Sequence, residues 1–220
     1  DMDPQANLTQ AMGFIDEPEP NLYEAFKQES AGEAFPLSDI IRQANGVDLL
    51  SSSLELSSAE LELVSAFGRE QMLKRMLARL GKTYDIAIID CPPSMGMLTV
   101  NALTASHYVL MPMQAEYLPL KGLVSFLRSL KLVQAQLNPD LQVLGILLTK
   151  YDPRRNMTQN ILDLLTSSYG EILLETRIRT NITLAKAQEA GKDIFTFDKS
   201  SKGAEDYGRL RNEILTRLPV

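Results

Sequence analysis

Tyr84-Asp85-Ile86-Ala87-Ile88-Ile89-Asp90-Cys91-Pro92-Pro93 is the stretch on which the reading of this 220-residue chain turns. Ile86–Ile89 is continuously apolar and mostly β-branched, the pattern of a short strand covered on both faces. Pro92 and Pro93 cannot donate to a ladder, so the strand stops there. Asp90 is thereby a carboxylate delivered at the carboxyl end of a buried strand, where open α/β sheets place their ligands. Such an acid suits Mg²⁺-assisted nucleotide hydrolysis. A strand-terminal Asp that merely caps the following turn is the competing reading.

Outward from this stretch, apolar runs alternate with helical patterns. Strands are expected at Val47–Ser51, Tyr84–Asp90, Tyr108–Met113, Val143–Thr149, Ile172–Ile178 and Ile194–Phe197. Helical periodicity covers Ser58–Lys82, with Leu61, Val64, Met72, Met76 and Leu80 assigned to one stripe, and Leu118–Leu137. Shorter helices are expected at Asn156–Tyr169 and Asn181–Ala190, and Gly203–Leu218 closes the series. Alternation of this kind predicts a single α/β domain with a doubly wound, mostly parallel sheet and helices on both faces. Asp16–Phe35, polar and carrying Pro18, Pro20 and Gly32, reads as a surface excursion.

Composition is that of a globular chain: 45% hydrophobic, 23% charged, Gly and Pro near average. No apolar stretch approaches the roughly 20 residues of a membrane span. The lone Cys91 excludes an internal disulfide framework and suits a reducing compartment. Net charge is −6 but unevenly spread: residues 1–149 hold 10 Lys/Arg against 18 Asp/Glu, and residues 150–220 hold 12 against 10. Global acidity therefore leaves room for a local basic patch.

A second acidic stretch opens the sequence, Asp1-Met2-Asp3-Pro4-Gln5-Ala6-Asn7. Two carboxylate-bearing turns in one α/β chain strengthen the metal-and-phosphate reading beyond what either offers alone. Together with Asn101–Thr104, Gln114–Tyr117, Leu148-Thr-Lys-Tyr-Asp152 and Ser201-Lys-Gly-Ala-Glu-Asp-Tyr207, these segments resemble, in order, successive blocks of the ParA/Soj partition ATPases, deviant Walker-type P-loop proteins.

The resemblance implies an ATPase using ATP and Mg²⁺, an ATP-dependent homodimer that binds non-specific DNA, and hydrolysis stimulated by a ParB-type partner. It further implies a cytoplasmic, nucleoid-associated protein without a membrane anchor. Asp3 matches the switch I acid that places the attacking water near Mg²⁺, and Asp90 the Walker B acid associated with the metal. Pro92, Pro93, Ser94 and Gly96 fall in switch II. Thr149 and Lys150, with Arg179, Thr180 and Asn181, match the adenine side of the nucleotide site.

The family's Gly-rich phosphate loop is absent from these 220 residues. Its absence suggests an N-terminally truncated chain, inactive as given, in which an edge of Asp85–Ile89 lacks its neighbour. Arg179, Thr180 and Thr183 also stand where many members carry Pro-Arg and Arg. The DNA surface would then rest on Arg177, Arg179, Lys186, Lys192, Lys199 and Lys202, basic side chains without interleaved aromatics, binding phosphates in a salt-sensitive manner. Glu175, Glu189, Asp193 and Asp198 are interspersed, so a solvated mixed-charge face is the plainer alternative. For the protein as a whole, the rival is a nucleotide-independent DNA- or partner-binding scaffold. His107 and Cys91 read as structural, and the mixed charges of the C-terminal helix favour docking on the sheet over membrane targeting.

Overall fold

A computed structural model describes residues 1–218, leaving out the side chains of residues 117–119. The chain divides into two compact units, residues 1–106 with 129–140, and residues 107–128 with 141–220.

In the second unit, β3 (Tyr108–Gln114), β4 (Gln142–Tyr151) and β5 (Leu173–Arg179) form a parallel sheet in that order. Consecutive side chains of β4 point to opposite faces. Ile146 and Leu148 join Met111, Met113, Ile161 and Leu165 in one core, with α7 (Asn156–Tyr169) and the start of α6 (Tyr117–Gln136) covering that side. Leu147 joins Leu174, Ile178 and Leu210 in the other, beneath α10 (Lys202–Arg217). Covering on both faces explains the unbroken apolar run of β4. Gly145 is required there, because a β-carbon would stand 2.9 Å from the Ile172 carbonyl oxygen.

Helix α10 also answers the open edge of β5. The Glu213 carboxylate accepts from the N–H groups of Glu175 and Thr176, both at 2.8 Å, while Arg217 donates to the Leu144 and Leu173 carbonyls. The helix docks on the sheet, as its charge balance predicts. Helices α8 (Ile182–Glu189) and α9 (Ile194–Asp198) meet α10 around Ala187, Ile194 and Ala204. The strand expected at Ile194–Phe197 is thus a short helix. Asp193 accepts from the N–H groups of Phe195 and Thr196, and this N-cap overrides the β-propensity of the apolar residues.

The first unit contains α1 (Asn7–Ala11), α2 (Leu22–Ser30), the antiparallel pair β1 (Ile41–Ala44) and β2 (Val47–Leu50), α3 (Leu56–Glu62), α4 (Met72–Ala78) and α5 (Met97–Ala105). Its core gathers Met2, Leu22, Phe26, Leu37, Ile40, Leu56, Leu63, Met72, Met76 and Leu98. Asp16–Phe35 is not a mere surface excursion: Leu22, Ala25 and Phe26 are fully buried. The signal is the capping box Asn21-x-x-Glu24, in which Asn21 accepts from the Tyr23 N–H at 2.9 Å and Glu24 from the Asn21 N–H at 2.8 Å. Glu29 then pairs with Arg75 and Arg79, tying α2 to the α4 region. The expected helix over Ser58–Lys82 is interrupted by 3₁₀ turns at Leu63–Ser65 and Arg69–Gln71 around left-handed Gly68. Its two halves bury different faces: Leu61 and Val64 are exposed, while Met72 and Met76 lie in the core.

Tyr84–Asp90 forms no strand. Among the described residues nothing pairs with it in a ladder, and Ile86 and Ile88 are 56% and 87% exposed. Only Ile89 leans on the core.

Candidate nucleotide and phosphate site

The acidic turns meet at Asp90. Its carbonyl accepts from the Met2 N–H at 2.8 Å, bringing Asp1–Asp3 alongside the end of the Tyr84–Asp90 segment. Asp1 has a role that sequence reasoning missed. Its buried carboxylate accepts from the Asp3 N–H at 3.1 Å and from both the N–H and hydroxyl of Thr9 at 2.9 Å. Thr9 Oγ1 in turn accepts from the Ser52 N–H at 3.0 Å, and Ser52 Oγ donates to the Asp3 carbonyl at 2.7 Å. Asp1 therefore anchors the turn that presents Asp3. The signal available in sequence was the Asp-x-Asp spacing, which suits an Asx-type bond two residues on.

Asp3 is left less committed. Its carboxylate accepts from the Gln5 N–H at 3.0 Å and otherwise stands partly open. Partial burial, with the negative charge of Asp3 adding to it, raises the Asp90 carboxyl above the usual aspartate value. The Asp3 charge and the partly buried Asp90 carboxyl on adjoining turns make a place where a cation is welcome. No group of three or more acidic, His or Cys ligands exists among the described residues. Two carboxylates without a full protein cage match the preference of Mg²⁺, which keeps waters and shares substrate phosphate oxygens. Cys91 follows Asp90, and burial pushes its thiol up to about 11, so it is inert at neutral pH.

Pro92, Pro93, Ser94 and Gly96 lie between Asp90 and α5. The Ser94 carbonyl accepts from Thr99 Oγ1 at 2.6 Å. Gly96 lies against Glu60, whose carboxylate accepts from the Leu98 N–H at 3.4 Å; a β-carbon there would displace that flexible side chain. Behind it, fully buried Asn101 accepts from the Leu73 N–H at 3.1 Å and donates to the Arg69 and Met97 carbonyls at 2.8 and 3.0 Å. This single amide fixes α5 against two other segments.

In the second unit, parallel pairing sets Leu148 beside Arg177 and Tyr151 beside Arg179. Thr149 and Lys150 are thus brought to the same sheet end as Arg179, Thr180 and Asn181. Lys150 is exposed and left-handed, φ 47°, at a break in register between Leu148 and Tyr151. A non-Gly residue in that conformation is uncommon and marks a strained strand end. Thr149 Oγ1 donates to the Met113 carbonyl at 3.3 Å, and Asn181 caps α8 by accepting from the Thr183 N–H at 2.8 Å.

The basic residues fall into two groups. Arg179 is committed: its side chain donates to Asp206 and Glu205 at 2.6–3.0 Å, and its backbone N–H to Asp206 at 2.9 Å. Arg177 stacks 5.4 Å from the Tyr151 ring, and its Nε is buried without a partner. Lys186, Lys192, Lys199 and Lys202 are exposed, and none makes an ion pair with another described residue. Contrary to the expectation of no interleaved aromatics, Phe195 and Phe197 emerge between Lys192 and Lys199, because this run is a helix and only Ile194 turns inward.

Comparison with known proteins agrees with this architecture. A family model described as an AAA domain matches residues 1–143. The chain is 38% identical over 217 residues to the sporulation initiation inhibitor protein Soj of Bacillus subtilis, covering 97% of this chain and 84% of that protein. It is 36% identical over 219 residues to the chromosome-partitioning ATPase Soj of Treponema pallidum, covering 99% and 84%. It is likewise 36% identical to the chromosome partitioning protein ParA of Myxococcus xanthus, covering 99% and 76%. Among solved structures, cobyrinic acid a,c-diamide synthase of Mycobacterium smegmatis with a bound ATP analogue and magnesium superposes with a TM-score of 0.80 at 34% identity, over 97% of this chain and 79% of that one. The α/β fold is that of the P-loop NTPases, and with relatives this similar over nearly its whole length the chain belongs to the Soj/ParA family of partitioning ATPases.

Proposed function

We infer that these residues form the metal, water and base side of an ATP-hydrolysing partition switch. The meeting of Asp3 with Asp90 on a turn anchored by Asp1 carries this reading. Bound Mg²⁺ would neutralise charge developing on the phosphates. Asp90 is the acid to hold that ion, and the partly free Asp3 carboxylate is positioned to orient the attacking water. Asp1, Thr9 and Ser52 keep Asp3 in place, while Pro92–Gly96 tie Asp90 to α5. Thr149, Lys150, Thr180 and Asn181 supply the base side. Arg179 acts through its ion pairs with Asp206 and Glu205, shaping the strand end.

The Gly-rich loop that cradles phosphates is not among these 220 residues. The reading therefore pairs the open Tyr84–Asp90 segment with a strand bearing that loop. In a protein containing both parts, Asp3→Ala is expected to retain ATP binding and lose turnover. Parental turnover in that variant would remove Asp3 from its role. The 220 residues alone should show no ATPase activity.

The same reading includes an ATP-dependent homodimer that binds DNA without sequence preference, responds to a ParB-type partner and resides on the nucleoid. The uncompensated Lys186, Lys192, Lys199 and Lys202 support the DNA part, and Arg177 completes the patch. Reversing the four lysines to Glu should abolish duplex binding while sparing ATP binding. Parental affinity should fall steeply with salt; a response flat in salt would favour a protein partner and the scaffold reading.

A further inference from the structure

Helix α5 begins without a cap of its own. Its N-cap residue is Gly96, in extended backbone, and no N-cap side chain accepts from the first N–H groups of the helix. Such a helix start carries orphan donors that need acceptors. The acceptor comes from another element. Glu60, half-buried on α3, lays its carboxylate against Gly96 and accepts from the Leu98 N–H at 3.4 Å. Leu98 is the second residue of α5, a position at which an N-cap side chain ordinarily bonds. The bond is long, and the negative charge adds to it by meeting the positive end of the helix dipole. Leu56 and Leu63, one turn on either side of Glu60, are buried and hold α3 in place.

The start of α5 is also the downstream anchor of the Asp90 turn. Upstream, the Met2 N–H donates to the Asp90 carbonyl and Ile89 leans on the core. Downstream, the chain passes through Pro92 and Pro93, whose rings restrict the backbone. It then reaches Ser94, whose carbonyl accepts from Thr99 Oγ1 at 2.6 Å. Thr99 belongs to the same first turn of α5 as Leu98. Asn101, farther along, is bonded to Arg69 and Leu73 independently of Glu60. Losing Glu60 therefore releases the first turn of α5 and leaves its body in place. Partial burial first, then the charges of the amino terminus and Asp3, set the ionisation of Asp90, so Glu60 reaches it only through the backbone.

We propose that Glu60 is a positioning residue for hydrolysis: by capping α5 from a neighbouring helix, it fixes the Pro92–Gly96 turn and, through that turn, Asp90. The inference rests on the reading of Asp90 as the acid that holds the metal ion. It adds a residue with no contact to the acidic turns themselves. A catalytic carboxylate must be held within a fraction of an ångström to work, and small displacements are costly in rate. Glu60 supplies that restraint at the end of the turn where Gly96 has no side chain to do so.

The test is made in a protein that contains both these residues and the Gly-rich loop. Glu60→Ala is expected to lower kcat about tenfold, with KM for ATP and the stoichiometry of bound ATP at parental values. Parental stoichiometry shows that the loss is not unfolded protein. Glu60→Gln, which keeps an oxygen acceptor but not the charge, should fall between. Adding Gly96→Ser to Glu60→Ala should recover most of the lost turnover. Truncating Glu60 clears the place of a β-carbon, 2.0 Å from its Oε1, and the new hydroxyl caps α5 locally. Hydrogen exchange gives a reading apart from turnover: the Leu98 amide should exchange faster in Glu60→Ala and regain protection in the double variant. Parental kcat in Glu60→Ala, with Asp90→Asn inactive, would overturn the proposal and leave the nucleotide reading standing. A loss that neither Glu60→Gln nor the added Gly96→Ser relieves would overturn it too, since Glu60 would then not act as a cap. Full turnover in Asp90→Asn would instead remove the nucleotide reading, and this inference with it.

Discussion

Tyr84–Asp90 and Gln142–Tyr151 carry nearly the same message in sequence, an aliphatic β-branched run ending in polar residues at a ligand-bearing turn. In the structure they differ completely. β4 is hydrogen-bonded on both edges, to β3 and β5, and buries Ile146, Leu147 and Leu148 between two helical layers. Tyr84–Asp90 has no ladder partner among the described residues and turns Ile86 and Ile88 to solvent. Burial is thus a property of neighbours. An apolar run states a requirement for cover on both sides, and the rest of the fold decides whether it is met.

The comparison can be broken most directly by matched truncations. Leu148→Ala in β4 should cost about 2–5 kcal/mol, as expected for a fully buried aliphatic. Ile88→Ala should stay within about 0.5 kcal/mol. Chemical denaturation of the two variants decides it: a large loss at Ile88 would show that the segment has a partner after all. Next in size is the brace on the β5 side. Asp206→Ala removes the acceptor for the Arg179 guanidinium and backbone N–H, and should cost about 2–3 kcal/mol, since one end of the pair is buried.

A smaller effect sharpens the contrast at the open segment's end. The Asp90 carboxyl is raised, so between its unfolded and folded values the native state holds the extra proton and stability falls as pH rises. Above that window Asp90→Asn should be the more stable protein, with Tm higher by roughly 2 °C, and the gain should vanish at acid pH. An unchanged Tm at pH 7 would mean that Asp90 is fully solvated. The smallest expected effect is chemical. Cys91 should react with iodoacetamide much more slowly than a free thiol at pH 7.5, its reactivity growing only as pH approaches about 11.

Much of this was legible locally. Asn156–Tyr169 carries its full helical repeat and forms that helix; the three strands of the second unit fall within about two residues of their apolar runs. The acidic turns were visible as spaced carboxylates, and their collinearity with other blocks pointed to the family. What escaped were features whose signal is a single hydrogen bond or a distant neighbour. The Asn21–Glu24 capping box is masked in the sequence by Pro18, Pro20 and Gly32, which dominate the composition around it. Ile194–Phe197 read as strand because its apolar content outweighed the cap at Asp193.

By itself, the sequence determined which segments could be strand or helix, which turns carry carboxylates, and membership of the Soj/ParA family, because periodicity, capping chemistry and ordered blocks are local properties of the chain. Only the tertiary structure decided what each side chain was left to do. It made Asp1 the anchor of the Asp3 turn and consumed Arg179 in the Asp206–Glu205 cluster. Among the described residues it gave four exposed lysines no ion pair, and it set Leu61, Val64 and Phe67 in solvent. Hydrogen bonds, ion pairs and burial depend on which residues distant in sequence come within a few ångströms, and no local pattern encodes that.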